Sequence, residues 1–261
     1  MSLISPHAII EEGALIGEDV EIGAFCFISG KSKIGKGTKI AQGTCIYGNT
    51  TIGEYNDIFS HAVLGSVPQD LKYAGEEVEL IIGDRNKIRE FTLFNPGTAG
   101  GGGKTVVGND NLFMGYVHLG HDVIIGDHCI LANAATLAGH VEMGNYAVIG
   151  GMTPVHQFVK IGDYAMIAGA SALSQDVPPY CLAEGNRAVL RGLNLNGLRR
   201  HVERSDIDAL RIAYRDLFES GKPLQEQASA LLEEATSELV KNLCTFILNT
   251  KRGIPYERNQ S

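Results

Sequence analysis

No stretch of this 261-residue sequence approaches the roughly 18 consecutive apolar residues that a membrane-spanning helix needs, so no span is expected. Its opening, MSLISPHAII, lacks a basic n-region and a long apolar core, so no secretory signal is expected either. Cysteine is sparse. The five residues, at 26, 45, 129, 181 and 244, are odd in number and form no CxxC pair. That argues against a zinc ribbon and for a reducing compartment, the cytoplasm. Positive charge is also short. The 22 Lys and Arg face 30 Asp and Glu, and a net charge of −8 disfavours non-specific binding to nucleic acid. The length still allows a substantial core, in one large domain or two small ones.

What is abundant is a rhythm. Ile10, Ile16, Ile22, Ile28, Ile34, Ile40, Ile46, Ile52, Ile58 and Leu64 are spaced by six. A second unbroken run of sixes goes Val107, Phe113, Leu119, Ile125, Leu131, Leu137, Met143, Ile149, Val155, Ile161, Ile167 and Leu173. Glycine often follows the large residue, as at Gly17, Gly23, Gly35 and Gly53. Two residues before it the position is small or modest, as at Ala14, Val20, Thr38 and Ala62. Cys26 and Cys129 fall there too and read as packing residues. A period of six fits neither a helix nor a hairpin. It is the signature of a hexapeptide parallel β-helix, each hexad a short strand plus a turn. Three hexads close one triangular coil of 18 residues. Stacked coils pair as parallel strands about 4.8 Å apart. No coil buries its face alone, so stability is a nearest-neighbour sum.

The rhythm lapses twice. Between Leu64 and Ile82 the phase survives, but positions 70 and 76 are Asp and Glu, so the segment near 65–81 leaves the prism. Between Phe94 and Val107 the phase slips by one, across PGTAGGGGKT. No P-loop ending follows its four glycines, so this second excursion, near 95–106, reads as a flexible loop. After Leu173 the prolines of SQDVPPY end the ladder. The tail reads helical: a short piece over 193–201, then Asp206–Ser220 with Ser205 as N-cap, a segment from Pro223 to about Ala235, and Ser237–Thr250. The division expected is a β-helix over 1–187 and a helical domain over 188–261.

Four of the eight histidines, at 118, 121, 140 and 156, lie between Gly115 and Phe158. Residues 18 apart stack on adjacent coils, giving the columns His121/Gly139/Gln157 and Asp122/His140/Phe158. None sits at an inward aliphatic position, so these groups face outward or sit at a corner. A neutral imidazole takes a proton near pH 7, and a carboxylate can hold its tautomer. Because neighbours along a strand point oppositely, Asp122 would support His121 across a corner or a subunit boundary. Gly139, with no Cβ, would let a carbonyl approach its N–H as an oxyanion donor, or is a turn glycine. Three imidazoles gathered at a subunit boundary, from His118, His121 and His140, would alternatively suit a zinc hydratase like the γ-class carbonic anhydrases.

Several segments narrow this: QDLKYAGE (69–76), His118-x-x-His121-Asp122, ATLAGHV (135–141), IGGMT-x-VHQF (149–158), QDVPPY (175–180) and Gly197-Leu198-x-Arg200. With them the chain resembles the cytoplasmic UDP-N-acetylglucosamine 3-O-acyltransferases of lipid A biosynthesis over nearly its whole length. The resemblance implies a left-handed β-helix, although ordinary crossovers are right-handed. It implies transfer of a 3-hydroxyacyl chain from acyl carrier protein to the 3-position of UDP-N-acetylglucosamine, the first step of that pathway. No metal or other cofactor is implied. His121 matches the family's general base, Asp122 its supporting carboxylate and Gly139 the oxyanion donor. Gln69, Asp70, His118, His140, His156 and Gln157 match positions that bind sugar, nucleotide or acyl group. Asn194 and Arg200 match nucleotide contacts, and Gly169 a position that limits acyl depth. A homotrimer with active sites between subunits is implied, letting Asp70 of one chain meet His121 of another.

The sequence departs from that family at Phe94-Asn95-Pro96-Gly97-Thr98, at Arg187 and at Asn196, which leaves acyl length open, and also whether the acceptor is the hydroxyl sugar or its 3-amino analogue. The related N-acyltransferase carries an added N-terminal domain, for which hexads starting by residue 10 leave no room. Five arginines (187, 191, 199, 200, 204) form a basic patch suited to an acidic carrier protein or a phosphate, which Lys72, Arg85, Lys87 and Arg89 would extend.

Overall fold

The computed structural model describes residues 3–256. Each hexad supplies a two-residue strand, such as Phe27–Ile28, Lys33–Ile34 and Lys39–Ile40. Successive strands fall on three different sheets, and every third strand pairs in parallel. The first sheet carries Ile22, Ile40, Ile58, Ile88, Phe113 and Leu131; the second carries Ile28, Ile46, Leu64, Phe94, Leu119 and Leu137. The third carries Ile34, Ile52, Ile82, Val107 and Ile125. These residues are buried and fill the prism. Burial of each such side chain contributes about 1.5–3 kcal/mol.

The position two before each aliphatic also points inward, which explains its small size. At several of these positions its polar group meets a neighbouring coil's backbone, whereas the buried hydroxyls of Thr92 and Thr105 have no hydrogen-bond partner among the described residues. Thr38 Oγ1 donates to the Gly53 carbonyl and Thr44 Oγ1 to Phe59 O. The buried thiols of Cys26 and Cys129 sit 3.1 and 3.0 Å from the carbonyls of Ala41 and Gly144. Burial pushes the Cys129 thiol up to about 12, so it packs rather than reacts. Asn56, Asn86 and Asn111 form an amide ladder inside the prism, each side-chain oxygen accepting the next coil's backbone N–H.

Each corner needs one left-handed residue three positions after the aliphatic. Asp110, Tyr116, Asp122, His128, His140 and Phe158 all take φ between 58 and 65° there. That costs a non-glycine residue roughly 1–2 kcal/mol. Stacking between successive corners, about 0.5–1.5 kcal/mol per aromatic pair, offsets part of it. His61, Phe91 and Tyr116 stack along one edge, and His128, Tyr146 and Tyr164 along another.

The two lapses are insertions that keep the prism in register. Ile52 pairs with Ile82 and Ile82 with Val107, so those coils are longer by 12 and seven residues than the usual 18. At the C-terminal end the structure corrects the sequence reading. The ladder does not stop at the prolines: Cys181–Glu184 joins the first sheet and pairs antiparallel with Val189–Leu193. Pro178 and Pro179 turn the chain but leave its N–H groups free to pair again.

Four helices follow: α1 (Leu195–Leu198), α2 (Arg204–Phe218), α3 (Leu224–Glu234) and α4 (Glu238–Asn249). Helix α2 starts earlier than expected. Glu203, not Ser205, is its N-cap residue, and no side chain caps it. Its face of Ile207, Leu210, Ala213, Leu217 and Phe218 is buried. Polar bonds tie the helices to the prism. Asn242 donates to the Tyr180 hydroxyl at 3.0 Å, and Thr250 Oγ1 to Asp176 Oδ2 at 2.6 Å.

Candidate active site

The corner after the second sheet carries His121 and Asp122 on one coil, Gly139 and His140 on the next, and Gln157 and Phe158 on a third. Asp122 takes the left-handed corner conformation (φ 59°), not a strand conformation. The alternation of strand side chains therefore does not apply to it. Its carboxylate turns back under the neighbouring imidazole within one chain, and no subunit boundary is needed. His121 Nδ1 lies 2.8 Å from Asp122 Oδ2. The buried carboxylate also accepts the Thr98 N–H at 3.0 and 3.1 Å and the Thr98 hydroxyl at 2.6 Å. With donors on every side, the carboxylate takes the Nδ1 proton as a fourth hydrogen bond, and the His121 Nε2 lone pair is left for chemistry.

Gly139 sits in the turn that also holds His140, but not in the left-handed region, so the turn dihedrals do not themselves require a glycine. A Cβ there would lie 2.6 Å from both Cε1 and Nε2 of His121, so glycine is what lets the ring lie over this backbone. The Gly139 N–H has no hydrogen-bond partner among the described residues. His140 meets His121 edge-on at 4.9 Å and stacks flat on Phe158 at 4.3 Å. Its Nδ1 is 4.0 Å from Asp122 Oδ2.

The glycine-rich segment is not a flexible loop. Ala99–Gly101 forms a 3-10 turn, and the Thr98 carbonyl accepts the N–H groups of Gly101 and Gly103. Gly101 packs so closely on Asp122 that any Cβ would overlap its carboxylate. The first excursion meets the second where Glu76 accepts the Ala99 N–H at 3.3 Å. Thr98 and Gly101 are site residues that sequence reasoning missed. The only trace was glycine spaced around a threonine, which composition alone reads as a linker.

His118 lies on the outer face of the second sheet, with Nδ1 3.2 Å from the Leu93 carbonyl. Burial holds it below the usual imidazole value, while the Leu93 carbonyl opposes the fall. Burial lowers His140 too; His121 adds to the fall, and Asp122 and Asp70 oppose it. Both rings are therefore neutral near pH 7. The group of His, Cys, Asp and Glu that does converge is His121, Asp122 and His140, without His118. Within one chain the three imidazoles of the zinc reading do not come together, and the one carboxylate in the group already accepts from Thr98 and His121.

A stability consequence follows. The unfolded chain binds a proton on such a histidine near pH 6.5, the folded chain only at lower pH. The stabilisation from His118 is complete above 6.5 and is lost as pH falls from there towards the lowered folded value. The melting temperature should fall between pH 7.5 and 5.5, and less steeply in His118→Gln, measured by circular dichroism.

Comparison with known proteins bears on the whole chain. Residues 104–139 match a family model described as bacterial transferase hexapeptide (six repeats), and residues 176–255 match domain 2 of UDP-N-acetylglucosamine O-acyltransferase. Proteins of Sulfurimonas denitrificans and Sulfurovum sp. named acyl-(acyl-carrier-protein)–UDP-N-acetylglucosamine O-acyltransferase are 74% and 67% identical, each alignment covering 99% of both chains. The chain belongs to the UDP-N-acetylglucosamine O-acyltransferase family. The solved UDP-N-acetylglucosamine acyltransferase from Campylobacter jejuni is 51% identical and superposes with a TM-score of 0.95 over 98% of this chain and all (100%) of that one.

Of the residues singled out for this O-acyltransferase, the structure brings together His121, Asp122, Gly139 and His140. Asp70 acts on His140 electrostatically within the same chain, and Gln69 beside it is exposed. His156 and Gln157 sit exposed one coil beyond Gly139. Gly169 is two after Ile167, on the corner between the first and second sheets, with ordinary space around it. Asn194 is elsewhere. It is buried as the N-cap of α1, accepting from Gly197 N–H and donating to the Tyr164 carbonyl. Arg200 is exposed just beyond α1. The basic patch is smaller than its sequence suggests: Arg191 pairs with Glu184, Arg204 lies near Asp208, and Arg85 and Arg89 pair with Asp110 and Glu90.

Proposed function

We propose that this chain transfers a 3-hydroxyacyl group from acyl carrier protein to the 3-hydroxyl of UDP-N-acetylglucosamine, the first step of lipid A biosynthesis, with His121 as general base. The observation that carries this is the His121–Asp122 bond of 2.8 Å, which commits Nδ1 and leaves Nε2 over Gly139. His121 Nε2 takes the proton as the sugar oxygen attacks the thioester carbonyl. The Gly139 N–H donates to the oxyanion, and Asp122 stabilises the imidazolium. Collapse breaks the carbon–sulfur bond, and the imidazolium proton passes to the leaving thiolate. No metal or other cofactor enters the scheme. The oxygen acceptor, rather than the 3-amino analogue, follows the names of the close relatives.

The remaining residues then bind substrate. His140, neutral and braced on Phe158, hydrogen-bonds the sugar beside the base. Asp70, Gln69, His118, His156 and Gln157 contact sugar, nucleotide or acyl chain around the same corner. Arg200 pairs with the nucleotide phosphates, and Asn194 contacts the same nucleotide from the segment it caps. Arg187 and Arg199, exposed and without an ion pair among the described residues, extend that surface towards an acidic carrier protein. The working unit is a cytoplasmic homotrimer with active sites between subunits. No described helix is long and apolar enough to cross a membrane.

Gly169 sets acyl depth in this reading. A Cβ there would make only ordinary contacts with the Gly151 backbone, so Gly169→Met should fold and shift preference to a shorter acyl chain. Competition between acyl carrier proteins of several lengths, read by product mass, checks this; unchanged preference counts against it. The same mass-spectrometric assay tests the function, with UDP-N-acetylglucosamine and its 3-amino analogue as acceptors. Acyl transfer to neither would overturn it.

A further inference from the structure

We infer that Thr98 is a positioning residue of the catalytic pair and that the glycine-rich loop exists to hold it. This rests on the reading of His121 as base. A buried carboxylate is costly unless its lone pairs are filled. Here one residue fills several: Thr98 gives Asp122 its N–H and its hydroxyl, the latter at 2.6 Å to Oδ2. That oxygen also takes His121 Nδ1, and it lies 4.0 Å from His140 Nδ1. Two imidazoles thus compete for one carboxylate oxygen. The fork from Thr98 sets the rotation of the carboxylate and so decides that His121 receives it. Without the hydroxyl, Asp122 is free to turn towards His140, and His121 loses its fixed tautomer.

The loop is built around this contact. The Thr98 carbonyl receives two N–H groups from the turn it starts, at Gly101 and Gly103. Gly101 closes over the carboxylate, where no other residue fits. The Ala99 N–H reaches Glu76 of the other excursion, which also carries Asp70. The seven extra residues of this coil therefore end in a clamp on Asp122.

The test is steady-state kinetics of the full chain, with melting curves, for Thr98→Val and Thr98→Ser. Valine keeps the shape and the backbone N–H and removes one donor to a charged acceptor. Turnover should fall roughly 10–100-fold, with KM for the sugar nucleotide unchanged. Serine restores the hydroxyl and should return most of the loss. In an Asp122→Asn background, Thr98→Val should cost nothing more, because the two act as one unit. Gly101→Ala, which displaces the same carboxylate by another route, should lose turnover as Thr98→Val does. Wild-type turnover in Thr98→Val, an equal loss in valine and serine, or a full additional loss in the Asp122→Asn background would each overturn the proposal. His121→Ala separates this from failure of the base assignment. An active His121→Ala refutes the base, whereas an inactive one beside a fully active Thr98→Val refutes only the positioning role.

Discussion

His121→Ala should lower turnover by roughly 10²–10⁴ while leaving the fold intact. The side chain does not enter the prism; it lies over Gly139 and contributes no core packing. Its removal leaves the Gly139 N–H and the substrate contacts in place, so the residual rate reports binding and the oxyanion donor alone. KM for the sugar nucleotide should change little, because the imidazole acts on the proton in flight. Product formation by mass spectrometry beside a thermal melt decides it. A folded variant with near-normal turnover would remove His121 from the role.

Asp122→Asn should be nearly as damaging, about 10²–10⁴ in turnover. The wild-type carboxylate accepts from three donors: the Thr98 N–H, the Thr98 hydroxyl and His121 Nδ1. An amide has one oxygen for them and must turn its NH₂ towards another. If the NH₂ faces Thr98, the clamp opens. If it faces His121, the Nδ1 proton moves to Nε2 and the base becomes a donor. In the first case His121 loses the fixed partner that orients it, and in the second its reactive lone pair is lost. The double variant with His121→Ala should then be no worse than His121→Ala alone, since the pair acts as a unit. Turnover in Asp122→Asn within tenfold of wild type would mean that the carboxylate is structural only.

Much of the architecture could be read residue by residue. The six-residue spacing located the row of large inward residues from Ile16 to Leu173, because a closed prism repeats its wide positions at a fixed phase. The slip of one between Phe94 and Val107 located an insertion for the same reason. The columns of residues 18 apart appear in the structure as the His140–Phe158 stack and the His121 ring lying over Gly139. What misled was the treatment of residues 121 and 122 as strand neighbours. The structure puts a left-handed corner residue three after each aliphatic, so Asp122, three after Leu119, turns a corner and is not a strand neighbour. The prolines at 178 and 179 likewise end the hexad rhythm without ending the sheet.

By itself, then, the sequence determined the coil, its length, its interruptions and the edge on which the histidines gather. Those follow from covalent spacing, because a solenoid repeats a local unit and neighbours in space are a fixed number of residues apart. Tertiary structure alone decided the wiring of that edge: that Asp122 turns back under His121, that the His121 ring over Gly139 leaves no room for a Cβ there, and that His118 stays outside the cluster. It also decided that Thr98, 24 residues from Asp122 along the chain, clamps its carboxylate. The reason is physical. These contacts depend on which side chains meet at one corner and on how an insertion folds back over the coil beside it, and neither is periodic.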